Sequence, residues 1–109
     1  MKIPTSFKLG AHTWKVKLVK SIGEPGEYVH GICYTTDHII HIAKTVNGKK
    51  VSDDSMFQTF LHEFVHAALH ILGKEDDEEL AAGLEQMYYQ LYKTAKYPKT
   101  SDPARGRSS

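Results

Sequence analysis

The stretch Ser55–Leu72 constrains this chain more than any other. It contains no glycine or proline. At about 100° per residue, Phe57, Phe60, Leu61, Phe64, Val65, Ala68, Leu69, Ile71 and Leu72 fill one broad side of a helix. The narrow remaining strip holds Thr59, His62, Glu63, His66 and His70. The broad side is expected to pack on a sheet, with the opposite strip carrying the polar chemistry. Ser55 followed by Gln58 fits a capping box, and Asp53 and Asp54 suit the positive end of the helix dipole. Gly73 is a natural left-handed stop.

Within this helix lies His62-Glu63-Phe64-Val65-His66. A four-residue step puts both imidazoles on one face, one turn apart. That separation suits two nitrogens converging on one tetrahedral zinc ion at about 2.0–2.1 Å each. Glu63 projects to the same side, within reach of a water at the ion as a general base. A chance match to this pattern in a chain of this composition has a probability of about 3%. The motif is therefore read as a metal site rather than as histidines that only hydrogen-bond.

A hydrolytic zinc site needs a third protein ligand and one open position. His70 follows His66 by four residues, but on an unbroken helix it lies about 12 Å from His62 along the axis. Three imidazoles so spaced cannot meet at one ion. The better source is the acidic run Lys74-Glu75-Asp76-Asp77-Glu78-Glu79, which leads into a second helix over Asp77–Lys93. A short connection after Gly73 folds this helix back antiparallel to the first. Leu80, Leu84, Met87, Tyr88 and Leu91 give it an apolar stripe. Glu78 and Glu79 flank that stripe on opposite sides, and Glu85 lies almost two turns beyond Glu78. Spacing alone does not choose between Glu78 and Glu79.

The N-terminal half reads as strands. Phe7–Leu9, the turn Gly10-Ala11-His12 and Thr13–Val19 form a hairpin in which Trp14, Val16 and Leu18 alternate with Lys15 and Lys17. Tyr28–Tyr34 and His38–Ala43 are further strands, and Asn47-Gly48 is a turn. His38 and His41 have opposite parity, so at most one of them faces the helix.

A chain of 109 residues supports one domain with one modest core. The domain is placed at residues 1–97, with 98–109 as a polar, flexible tail. No apolar run approaches the roughly 18 residues of a membrane span. The N-terminus lacks the apolar core of a signal peptide, and Cys33 is the only cysteine. These features point to the cytoplasm and leave any metal to histidine and carboxylate. The modest net charge hides a partition: residues 1–50 carry eight Lys against three acids, and residues 51–92 carry nine acids against one Lys. Residues 93–109 carry five bases against one acid. Nucleic acid is a conceivable partner for the basic ends. It is the less favoured one, because aromatics are not interleaved with the lysines as base-stacking platforms.

The segment His62–Ala67, then Leu72-Gly73, the acidic stretch, Glu78–Leu84 and Tyr89-Gln90-Leu91 resembles the small metallopeptidases of phages and prophages. These are minimal zincins, distantly similar to the ImmA/IrrE and SprT-like families. The resemblance implies an α+β fold, with an antiparallel N-terminal sheet of three to four strands followed by two antiparallel helices. It implies Zn2+ held by His62, His66 and a glutamate on the following helix, and Glu78 matches that position. It also implies peptide-bond hydrolysis with Glu63 as general base, in a host-cell cytoplasm if phage-encoded. The substrate would be a peptide or protein, which could add to the strand His38–Ala43 if that strand is an edge. The competing expectation is a zinc-containing binding or regulatory module without catalysis, associated with DNA or with phage components.

Overall fold

A computed structural model describes residues 3–98. The elements are β1 (Ser6–Leu9), β2 (His12–Val19), β3 (Gly31–Tyr34), β4 (Ile39–Ala43), β5 (Thr45–Val46), β6 (Lys49–Lys50), α1 (Asp53–Ile71) and α2 (Glu78–Thr94). The fold is α+β, a four-stranded sheet followed by two helices. Residues 99–109, most of the expected tail, lie outside the described residues.

The sheet order is β1-β2-β4-β3. The β1–β2 and β3–β4 pairs are antiparallel hairpins, but β2 and β4 run parallel, with Val16 opposite Ile40 and Leu18 opposite Ile42. The expectation of a wholly antiparallel sheet is corrected at this one pairing. The chain leaves β2, crosses through Lys20–His30, enters along the far edge as β3 and returns between β3 and β2. The second hairpin therefore docks with its returning strand inward. The crossover also shortens the expected strand Tyr28–Tyr34 to its last four residues. His38 takes a left-handed φ of 58° and forms the turn before β4 rather than its first residue. Asn47 and Gly48, both at positive φ, close the small β5–β6 hairpin.

One sheet face meets α1. Trp14, Ile40 and Ile42 are fully buried there, with Val16, Val51, Met56, Phe60 and Ala67 around them. Phe7 joins by stacking on Trp14 and packing edge-on against Phe60. The alternation in β2 holds at Trp14 and Val16, but Leu18 is 47% exposed, although its neighbour across the pairing, Ile42, is fully buried. Lys15 and Lys17 point to the opposite, exposed face.

Helix α1 begins one turn earlier than expected. Ser52, not Ser55, is the N-cap, and its Oγ accepts from the Ser55 N–H at 3.1 Å. Three residues of additional helix thus place Asp53 and Asp54 in the first turn. The C-terminus closes as a Schellman motif: Gly73 N–H donates to His70 O and Lys74 N–H to Leu69 O, with Gly73 at φ 70°. Asp77 caps α2 by accepting from the Leu80 N–H at 2.9 Å.

The helices run antiparallel. Tyr89, late in α2, donates to Asp54 at the start of α1, while Glu78, first in α2, meets His62 and His66. Ala81 is the one α2 residue that is buried. The stripe Leu80, Leu84, Met87, Tyr88 and Leu91 does not form the main seam with α1. Only Leu84 packs into the small cluster of Val65, Leu69 and Ala81, and the other four are 41–65% exposed. The side turned to α1 instead carries Glu78, Ala81, Glu85 and Tyr89.

Strand β3 and α1 approach closely at Gly31. A Cβ on Gly31 would stand 2.5 Å from Thr59 Cγ2 and 3.2 Å from Glu63 Cγ. Gly31→Ala is expected to cost about 1–3 kcal/mol by overpacking. Adding Thr59→Ser, which removes the nearest methyl, should recover part of that loss in urea unfolding. A neutral Gly31→Ala would show that the two elements are not held in contact.

Candidate metal centre

The strip of α1 that carries His62, Glu63 and His66 does not lie opposite the sheet. It faces a groove between edge strand β3 and α2. Gly31 and Cys33 of β3 form one wall, and Glu78 and Glu85 form the other.

His62 and His66 sit on successive turns with ring centroids 5.0 Å apart. Each presents Nε2 to Glu78: His62 Nε2 is 2.6 Å from Oε1 and His66 Nε2 is 3.0 Å from Oε2. Each presents Nδ1 to a different carboxylate. His62 Nδ1 is 3.0 Å from Glu85 Oε1, and His66 Nδ1 pairs with Asp76 Oδ1. A proton on Nδ1 is satisfied outward, leaving both Nε2 lone pairs pointing inward. Lone pairs facing a carboxylate at these distances repel unless a positive charge stands between them. That charge is a proton on the ring or a cation in the gap. One ligand atom each from His62, His66 and Glu78 lies within 4.8 Å of the others, a group that could hold a metal ion. Short side-chain movements would bring them to the roughly 3.3 Å spacing implied by metal–nitrogen bonds of about 2.0 Å.

Glu79, spatially equivalent to Glu78 by sequence spacing, is not in this group. The roll of α2 turns Glu78 inward and leaves Glu79 out. His70, an unlikely ligand by spacing, is also outside it, exposed one turn beyond. His38 stacks on His12 at 4.0 Å and His41 lies edge-on to Tyr34. Neither reaches the groove.

Glu63 is 8% exposed, the one buried charged residue among those described. Burial raises its carboxyl pKa above the ordinary value. His62 and His66 pull it back down, Glu78 and Asp76 push it up, and the balance is upward. For His66, burial works against the charged ring, but Asp76, Glu63 and Glu78 outweigh it and raise its pKa.

Two residues escaped sequence reasoning. Asp76 belongs to the acidic run but was not distinguished within it. Its position ten residues after His66, just before the α2 cap, is the only signal available. Cys33 lines the groove, where burial, then Glu63 and Asp76, push its thiol up to about 12. It is a neutral thiol at physiological pH and not a thiolate nucleophile.

The groove continues past the histidines in both directions along β3. A cleft of about 510 Å3 lies beside Tyr28, His30, Gln58, Thr59 and Glu85. A second of about 370 Å3 lies beside Ile32, Thr35, His66 and Asp76. Both reach His62, Glu63 and Glu78. Comparison with known protein families, curated proteins and solved structures finds no match. Among the described residues, no helix is long and apolar enough to cross a membrane.

His66 provides a test of the outer carboxylates. A folded pKa above the unfolded value of about 6.5 contributes stability that is complete below that value and disappears as pH rises through the folded one. In metal-free protein, Asp76→Asn should lower the His66 pKa in an NMR titration and shrink this acid-side stabilisation. An unchanged His66 titration would remove Asp76 from the pairing.

Proposed function

We propose that this protein is a zinc-dependent metallopeptidase of the minimal zincin type that its His62–His66 segment resembles. The observation that carries the reading is the inward convergence of both Nε2 atoms on Glu78, with each Nδ1 anchored on a separate carboxylate. One cation held between His62 Nε2, His66 Nε2 and Glu78 would satisfy all three groups at once, while Glu85 and Asp76 take the two Nδ1 atoms.

In this reading His62, His66 and Glu78 hold the ion, and Asp76 and Glu85 orient the two rings. Bound zinc supplies Lewis-acid polarisation of the substrate carbonyl and acidifies water. Glu63, with its pKa raised by burial, takes the proton from the attacking water and passes it to the leaving amine.

A peptide substrate would not lie on β4, as the sequence suggested, because β4 has β2 on one side and β3 on the other. The open edge beside the site is β3. An extended chain pairing there would cross Glu63 and occupy the two clefts on either side. The exposed lysines Lys15 and Lys17 lie on the far face of the sheet, which keeps nucleic acid the less favoured partner. A cytoplasmic setting accords with a single cysteine, Cys33, which can form no disulfide within the chain.

Elemental analysis should find one equivalent of zinc, lost in His66→Ala and Glu78→Ala and kept in Glu79→Ala. Asp76→Asn should weaken zinc binding by about 10–100-fold. Retention in Glu78→Ala with loss in Glu79→Ala would mean that α2 is rolled differently.

Cleavage of a random peptide library should be stopped by chelation. Glu63→Gln should keep its zinc while losing about 10²–10⁴-fold in turnover. Zinc binding without any cleavage would favour the non-catalytic binding module instead. No zinc binding at all would sink both readings.

A further inference from the structure

Among the described residues, the outer side of α2 has no partner apart from Leu84, whose edge reaches Val65 and Leu69. Leu80, Leu84, Met87 and Leu91 fall at successive steps of four, three and four residues, the spacing of a helix–helix seam. Leu80, Met87 and Leu91 are 41%, 65% and 62% exposed. Contiguous apolar exposure of this kind marks an interaction surface. We propose that this face pairs with the same face of a second copy, the two α2 helices running antiparallel about a two-fold axis.

Three observations select that occupant. The stripe is symmetric about its own midpoint between Glu85 and Gln86, so an antiparallel two-fold sets Leu80 against Leu91 and Leu84 against Met87 in both copies. Charge is complementary in that direction only. Exposed Glu75 and Glu79 at the start of one helix come toward Lys96 just past the end of the other, and the helix dipoles oppose, while Lys93 is turned to Asp54 of its own chain at 3.8 Å. A parallel pair would bring acids to acids.

The third is Gly83, which flanks the stripe in mid-helix. Glycine weakens a helix interior, yet a Cβ there would meet nothing within 4 Å. Among the described residues nothing packs there, whereas a close-crossing partner helix would use the gap. Residues 99–109 carry no large apolar side chain.

The inference stands apart from the metal reading, and its test uses full-length protein with chelator present, so that no bridging ion links the copies. Light scattering should record a mass rising from one chain to two with concentration. Met87→Glu combined with Leu91→Glu should stay at one chain, with helix content unchanged and a melting temperature that matches dilute single-chain wild type and does not rise with concentration. In a Cys33→Ser background, Leu80→Cys and Leu91→Cys proteins should form a disulfide-linked pair when mixed and oxidised, and neither should cross-link with itself. A wild-type mass of one chain at every concentration up to about 1 mM would overturn the proposal. So would self-cross-linking of each cysteine variant, which requires a parallel pair.

Discussion

Two ring nitrogens directed at one carboxylate, at 2.6 and 3.0 Å, set the geometry around which α2 is arranged. Apolar burial alone would not place this helix, since it buries only Ala81 fully. Its roll is fixed by polar partners: Glu78 and Glu85 on His62, Glu78 on His66, and Tyr89 on Asp54 at 2.6 Å. Turning those groups toward α1 turns the leucine stripe away from it. The same choice thus creates a charged seam inside the molecule and an apolar ridge outside.

The sheet supplies the opposite support. Trp14, Ile40 and Ile42 anchor the buried side of α1, while Gly31 lets β3 press against Thr59 and Glu63. Glu63 is therefore walled by backbone on one side and by imidazoles on the other. Its raised pKa follows from that enclosure, not from a single neighbour. Rigid β-structure behind the base and a polar helix in front of it leave the groove along the strand as the open approach.

Much of this was legible from residue order. The apolar arc of Ser55–Leu72, the stop at Gly73 and the four-residue step from His62 to His66 are local facts, and local facts are what periodicity reports. The N-cap moved to Ser52 because a serine, two aspartates and another serine offer competing caps within four residues. Strand order was not legible. Both hairpins are visible in the sequence, but which strand of the second lies inward is decided by the path of Lys20–His30 across the sheet. The inward face of α2 was also hidden, since hydrophobicity pointed to the leucines while the partners of the histidines pointed elsewhere. Asp76 was invisible for the same reason: one aspartate in a run of acids carries no mark of its destination.

That run also makes the arrangement tolerant of slips in length. From the closure at Gly73, only Lys74–Asp76 precede the Asp77 cap, and Glu75 through Glu79 are all acids. Loss of one residue from the connector would bring Glu79 to the place of Glu78, and gain of one would bring Asp77. Either way an anionic side chain arrives opposite the paired rings. A lineage carrying this segment could shorten or lengthen its interhelical link by one step and still keep acids at the places of Asp76 and Glu78, at the loss of Glu85, whose place would pass to Gln86 or Leu84.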